Sequence, residues 1–294
     1  MVSKTQTLKD LEDALENGAS DTGTIQKFLR MVRELRVRRS ELVSQHGAKL
    51  LNSRLLGEEE RWLVHEQVCV AALDCQDLEV AVQCLKKLKA KFPTSIRVGR
   101  LRGMALEAQG KWEEALVHYE KLLAESPANA NIMKRKVAVE RARGNTHKAI
   151  EALNEYLDSF MSDVDAWAEL GDLYVENLMY KQAAFCFEEL ITAAPHNYLN
   201  HLKYAEVLYT MGGAENVRNS RKYFSAAVDL TGGDSLRALY GLWTATSAIK
   251  ALKGPKDPED ESPLGDLASK QIVALYKAGC PAKAKIVEAC VEDR

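Results

Sequence analysis

A period of 34 residues runs through the middle of the chain. Alanine recurs at this step in four places, Ala81, Ala115, Ala149 and Ala183. Thirty-four residues suffice for two short antiparallel helices with their turns, and one such hairpin alone cannot bury both of its apolar faces. The period therefore predicts an all-α chain in which each helix hairpin stacks on the next.

Proline closes three of these repeats at the same step, at Pro93, Pro127 and Pro195. Proline has no N–H to donate and disfavours helix at the residue before it. We therefore expect the second helix of each of these repeats to end just before its proline.

One repeat carries nearly every residue of a known helical pattern. It begins at Asp165 as DAWAELGDLYVENLMYKQAAFCFEELITAAP, and it resembles the tetratricopeptide repeat (TPR) at Trp167, Leu170, Gly171, Tyr174, Ala183, Phe187 and Pro195. The repeating alanines and the small residues Gly103 and Gly171 would let helices approach closely, while an aromatic such as Phe187 fills the remaining space. The resemblance implies an all-α, right-handed TPR-type helical solenoid with helical caps at both ends.

The repeat frame also divides the chain. We expect an N-terminal helical cap at 1–61, a degenerate sixth helix pair at 234–279 and a C-terminal capping helix at 280–294. Within the sixth pair, residues 253–263 are rich in proline and charge, which predicts an exposed loop. The five TPR units are expected at 62–95, 96–129, 130–163, 164–197 and 198–233.

Composition limits the function further. The net charge of -2 argues against attraction of the whole molecule to nucleic acid. The chain contains no apolar run of the roughly 20 residues that a membrane span needs, and its first residues lack the apolar stretch of a secretion signal. We therefore expect a cytoplasmic protein whose contact with any membrane is indirect, through partners.

The motifs of catalysis and of metal binding are absent from the sequence. It contains no phosphate-binding loop, no nucleophile elbow and no zinc-binding helix motif. Its six cysteines include no Cys-x-x-Cys pair, so reduced thiols are expected rather than a zinc site. The prediction is a protein that is not an enzyme and has no cofactor.

A repeat solenoid without catalytic residues is expected to act by binding partners on its surfaces. The TPR resemblance implies that the second, fifth, ninth and twelfth positions of each first helix face a groove, and the charged residues at or next to these positions segregate. The basic group is Arg97, Arg100, Lys134, Arg135, Lys136 and Arg141. The acidic group is Asp165, Asp172 and Glu176. Such a groove could fix the direction of a bound partner segment; a solvated face without a specific ligand is the alternative.

A soluble TPR adaptor or co-chaperone that binds extended peptide segments is the second functional hypothesis. TPR co-chaperones resemble one another in a lysine and an asparagine, four residues apart, that hold the carboxylates of chaperone tails. No repeat of this chain holds that pair: Glu66 stands with Val70, Arg100 with Met104 and Lys134 with Ala138.

One long stretch is more specific than the repeat class. From Ala183 to Leu230 the chain resembles the subunit 2 family of the endoplasmic reticulum membrane protein complex, and the likeness extends over about residues 63–249. The residues that carry it include several without a role in the repeat pattern, among them His196, Asn197, Ser220, Arg221 and Lys222.

The resemblance implies a non-catalytic scaffold on the cytoplasmic face of the endoplasmic reticulum membrane. In that family the subunit holds cytosolic segments of membrane-spanning subunits and a soluble subunit with a protease-like fold. The membrane insertase complex inserts tail-anchored and multipass membrane proteins. The partners implied are therefore other subunits of this complex.

Overall fold

The computed structural model describes residues 2–18, 21–53, 56–252 and 258–292, and the regular structure in these residues is helical throughout. The chain divides into two compact halves, residues 1–145 and 146–294. The N-terminal half contains α1 (Val2–Glu16), α2 (Thr22–Leu35), α3 (Ser40–Leu51), α4 (Glu58–Asp74), α5 (Leu78–Lys91), α6 (Ile96–Ala108), α7 (Trp112–Glu125) and α8 (Ala130–Ala142). The C-terminal half contains α9 (Thr146–Ser159), α10 (Val164–Glu176), α11 (Tyr180–Ala193), α12 (Tyr198–Met211), α13 (Ala214–Leu230), α14 (Leu236–Lys250), the 3-10 helix Pro258–Glu261, α15 (Leu264–Gly279) and α16 (Pro281–Glu292).

The helices follow the repeat frame closely, and the all-α fold is confirmed. The first helices α6, α8, α10 and α12 begin at Ile96, Ala130, Val164 and Tyr198, where the frame starts its second to fifth repeats. α5, α7 and α11 each end two residues before a proline, and the intervening residue caps the helix without continuing it.

The first repeat begins earlier than the frame predicts. α4 starts at Glu58 rather than at Trp62. Its first turn contains Glu58, Glu59 and Glu60, and negative side chains stabilise the positive N-terminal end of a helix. The acidic run therefore extends the helix beyond the repeat pattern.

The turn inside each of the five repeats contains a residue with a positive φ angle. These residues are again 34 apart and have φ values between 59° and 76°: Gln76, Gly110, Gly144, Leu178 and Gly212. Glycine adopts this conformation without steric cost, whereas a side chain at Cβ crowds the following carbonyl oxygen. Leu178 is therefore strained, and its side chain is also 71% exposed.

The repeated small residues lie where helices meet. Ala81 and Ala115 in the N-terminal half, like Ala149 and Ala183 in the C-terminal half, are completely buried. In the C-terminal half, a Cβ added to Gly171 would lie only 3.1 Å from the ring of Phe187. Close packing of α10 on α11 therefore depends on a residue without a side chain.

Part of the predicted exposed loop at 253–263 is bound to the rest of the fold. Residues 258–261 form the 3-10 helix, in which Asp260 is only 5% exposed. Arg218 of α13 donates from Nε and Nη2 to the two carboxylate oxygens of Asp260, over 2.9 and 2.8 Å. The expectation of an exposed loop is therefore wrong at Asp260, because this ion pair holds the segment on α13. Residues 253–257 lie outside the described residues.

Candidate functional site

An open cavity of about 280 Å³ lies between α2, α3, α4 and α6 of the N-terminal half. Arg97, one of the predicted groove residues, lines it and donates from Nε to Oε1 of Glu66 over 2.6 Å. Arg100 Nη2 is 3.9 Å from the same oxygen. Further along the wall, Arg33 donates to Gln67 over 2.6 Å. These charged side chains of the cavity wall are therefore paired with residues of a neighbouring helix.

Arg135 has a different environment from its predicted place in the groove. Its guanidinium binds both carboxylate oxygens of Glu107, a residue that is 8% exposed. The hydroxyl of Tyr119, a completely buried residue, donates to the same carboxylate over 2.5 Å. These three side chains join α6, α7 and α8. Arg135 is therefore committed to an ion pair within the fold, although its side chain remains 33% exposed.

The electrostatics of this triad follow from its burial. Burial lowers the pKa of Arg135, but hydrogen bonding to Glu107 and the charge of its carboxylate outweigh that effect and hold the pKa above its ordinary value. Burial, followed by the charge of Glu107, raises the pKa of Tyr119. Both groups therefore keep their protons across the physiological range, and the triad holds one charged ion pair and one neutral hydroxyl.

The remaining basic residues of the prediction lie on α8. Lys134 and Arg141 are exposed, and Lys136 is partly exposed. α8 therefore presents basic side chains to solvent on either side of the partly exposed Arg135.

A second open cavity, of about 290 Å³, lies between α10, α11, α12 and α14 of the C-terminal half. Its rim carries two ion pairs. Lys203 Nζ lies 2.6 Å from Oδ1 of Asp172, a predicted groove residue, and Arg237 donates to both oxygens of Glu206 over 2.6 and 2.7 Å. Hydrogen bonding to Glu206 raises the pKa of Arg237. The apolar part of the wall is formed by Val175, Tyr180, Phe187 and Val207.

The other two acidic residues of the prediction are on α10 but outside this cavity wall. Asp165 and Glu176 are both exposed. Neither makes an ion pair or a side-chain hydrogen bond within the part of the chain that the structure describes. Their carboxylates are therefore available to a cationic partner.

The sequence pattern missed the counter-charges of the groove. In the part of the chain that the structure describes, three ion pairs join a first helix to the next first helix with a separation of 31 residues: Glu66 with Arg97, Asp172 with Lys203, and Glu206 with Arg237. This separation is one repeat less about one helical turn, the offset at which side chains of adjacent parallel helices meet across the repeat. Opposite charges 31 residues apart are the signal that could have revealed these pairs from the sequence.

Among the residues with described placement, no cluster of histidine, cysteine and carboxylate side chains could hold a metal ion. Burial raises the pKa of Cys69 and of Cys186 to about 12 and that of Cys84 to about 11, so these thiols are not nucleophiles at neutral pH. Over the same residues, no helix has the length and hydropathy required to cross a bilayer.

The comparison with curated proteins decides the family. ER membrane protein complex subunit 2-A of Xenopus laevis is 44% identical to this chain over 216 residues, which cover 73% of this chain and 72% of the relative. The chain belongs to the ER membrane protein complex subunit 2 family. The subunit 2 of Dictyostelium discoideum is 39% identical over 209 residues, covering 70% of this chain and 65% of that relative.

Two further matches agree with membership of the subunit 2 family. The family model described as the EMC2 TPR-like repeat domain matches residues 84–220, which include every predicted groove residue. A solved structure, the C-terminal part of a TPR repeat-containing protein from Cytophaga hutchinsonii, superposes with a TM-score of 0.59 at 15% identity. It covers 91% of this chain and 99% of that structure, and it supports the predicted TPR-type helical repeat fold.

Proposed function

We propose that this chain is the TPR subunit of an ER membrane protein complex and works as a non-catalytic scaffold. It lies on the cytoplasmic face of the endoplasmic reticulum membrane, held there by its partners. Its surfaces hold cytosolic segments of membrane-spanning subunits and a soluble subunit with a protease-like fold. Through these contacts it supports the insertion of tail-anchored and multipass membrane proteins.

The observation that carries this proposal is the 44% identity to a relative named as subunit 2 of the ER membrane protein complex. The match extends over nearly three quarters of both chains. A scaffold role agrees with that name, since stacked helix pairs form extended surfaces suited to peptide and helix recognition.

The charges of each half indicate how such a partner segment is recognised. The cavity walls carry ion pairs that are already satisfied, and these contribute shape and polarity rather than a free charge. The exposed Asp165 and Glu176 on α10 have no counter-charge among the described residues. We expect these two carboxylates to orient a basic partner segment, since unlike charges attract and like charges are rejected at an interface.

The test is affinity purification of the tagged full chain from cells in mild detergent, followed by identification of the bound proteins. The wild-type chain should retain other subunits of the complex. The double variant Asp165→Lys, Glu176→Lys should lose at least one of them while its helical circular dichroism stays unchanged. The matched control is Glu151→Lys, Glu155→Lys, which makes the same charge change at exposed positions of the second helix α9.

Three results would speak against the proposal. If both double variants recover the partners equally well, α10 is not part of the interface. Loss of partners in both would indicate an effect of net charge alone. Recovery of chaperones or clients without any membrane subunit would favour the soluble adaptor instead.

A further inference from the structure

A third open cavity lies on a different face of the N-terminal half, between α5, α6 and α7. Its volume is about 480 Å³, and it contains none of the predicted groove residues. The basic residues among those that line it are Lys86 and Lys89 of α5 and Arg102 of α6, and Glu125 is the acidic one. Three cations therefore surround a cavity that holds a single carboxylate.

The three cations differ from Arg97 and Asp172 of the predicted groove in having no internal partner. All three are exposed, and none makes an ion pair or side-chain hydrogen bond among the described residues. By contrast Lys91, on the same helix α5, is paired with Glu58 over 2.8 Å. Lys86 and Lys89 are one helical turn apart and so lie on one face of α5. This cluster concentrates positive potential that the fold itself does not neutralise.

The floor of the cavity is apolar and closely packed. Val98 and Leu122 are buried in it, and a Cβ added to the neighbouring Gly99 would come within 2.8 Å of Leu122 Cδ2. The carbonyl oxygen of Gly99 lies 2.9 Å from Nε2 of His118, which fixes that ring at the cavity wall. A closely packed floor below a cationic rim suits a compact anionic ligand.

We propose that this cavity is a binding site for a phosphate monoester carried by a small polyol or by a lipid headgroup. A phosphate group presents several acceptor oxygens in a small volume, so two ammonium groups and the planar fork of Arg102 can contact it together. The sugar or glycerol part then covers Val98 and Leu122. The site is separate from the proposed partner grooves, and its occupancy does not depend on them.

The chemistry favours phosphate over an acidic peptide. The cations come from two helices around one cavity rather than along an extended track, and a phosphate carries more charge in that volume than a carboxylate does. A peptide with carboxylates spaced along its backbone would engage the lysines separately. Both classes bring negative charge, so the experiment includes a peptide arm.

The test measures binding of the full chain to two phosphate probes. Isothermal titration calorimetry with inositol trisphosphate probes the soluble ligand, and co-sedimentation with phosphatidylcholine vesicles containing a phosphatidylinositol phosphate probes the headgroup. The pocket variant is Lys86→Gln, Lys89→Gln, Arg102→Gln. The control, Lys181→Gln, Lys270→Gln, Lys285→Gln, makes the same change of net charge at exposed lysines of the C-terminal half. Both variants are first checked for wild-type helicity.

We expect the pocket variant to bind at least about tenfold more weakly than the wild type, and the control to bind normally, since three charge-assisted contacts are lost. Binding of the soluble probe without the vesicles assigns a soluble sugar phosphate, and binding of the vesicles assigns a lipid headgroup. Three results would overturn the proposal: no binding of either probe, equal weakening in both variants, or equally tight binding of an oligoglutamate peptide of matched charge.

Discussion

Gly103 of α6 packs against the phenolic end of the Tyr119 side chain of α7. A Cβ added at Gly103 would be 2.2 Å from Cε1 of that ring, far inside van der Waals contact. The ring cannot move away easily, because its hydroxyl is bound to the buried Glu107. The space that Tyr119 occupies is therefore available only because residue 103 has no side chain.

Gly103→Ala should therefore destabilise the N-terminal half by about 1 to 3 kcal/mol, the usual cost of overpacking a closely packed core. Urea unfolding followed by circular dichroism measures the change. Gly279→Ala is the control, since a Cβ there meets nothing within 4 Å. An equally large loss at both positions would mean that the Tyr119 contact is not the cause.

Arg135→Met should cost about 3 to 5 kcal/mol, because it leaves the buried carboxylate of Glu107 without its counter-charge. The comparison is Arg97→Met, whose side chain is 65% exposed and whose ion pair with Glu66 should be worth less than about 1 kcal/mol. Adding Glu107→Gln to Arg135→Met should recover part of the loss, since the amide oxygen still accepts from Tyr119 without a charge. Equal losses in the two single variants would contradict the role of Arg135 as counter-charge to a buried carboxylate.

Leu178→Gly should raise the free energy of unfolding by up to about 1 kcal/mol, because φ is 59° at this position and glycine adopts that conformation without strain. The matched control is Leu178→Ala, which keeps a Cβ and so keeps the strain. Chemical denaturation of the three proteins separates the effects. If glycine and alanine give the same stability, the backbone at residue 178 is not the source of the difference.

Lowering the pH below about 6.5 should reduce the free energy of unfolding of the N-terminal half. Burial, followed by the charges of Lys87 and Arg61, lowers the pKa of His65 from 6.5 to about 4. The unfolded chain therefore takes up this proton below about pH 6.5, whereas the folded chain resists it until about pH 4. The stability that comes from the neutral imidazole is complete above pH 6.5 and is lost as the pH falls towards 4.

The check on this pH dependence is urea unfolding at a series of pH values between 7 and 4. His65→Gln, which cannot take up a proton in this range, should show a flatter decline in stability than the wild type. His46 provides a background common to both proteins, because burial also lowers its pKa. Parallel curves for the two proteins would exclude His65 as the group responsible.

The sequence predicted the repeat architecture because the period depends on local rules. A small residue such as Gly171 and the 34-residue spacing of the alanines reflect helix packing that recurs in each unit. The bounds of α10 follow from the same frame. The differences between the predicted and the observed structure come from charged residues. The acidic start of α4 and the ion pair of Asp260 with Arg218 depend on individual side chains, which a repeat pattern does not specify.

The candidate site was less predictable for the same reason. The pattern placed Arg97, Arg135 and Asp172 in a groove by position, but their environments depend on counter-charges from the neighbouring repeat. Glu107, which is buried, forms an ion pair with Arg135, and Lys203 forms one with Asp172. A positional rule identifies which face a residue lies on, whereas its availability to a partner is decided by contacts between repeats.

The most direct test of the scaffold proposal is the native size of the chain in detergent-solubilised microsomes. The polypeptide has a mass of 32.7 kDa. Native electrophoresis with detection of this chain should find nearly all of it in a much larger membrane complex, and the variant Asp165→Lys, Glu176→Lys should shift part of it to smaller species. Migration of the wild-type chain as a free protein of its own mass, absent from microsomes, would contradict the account.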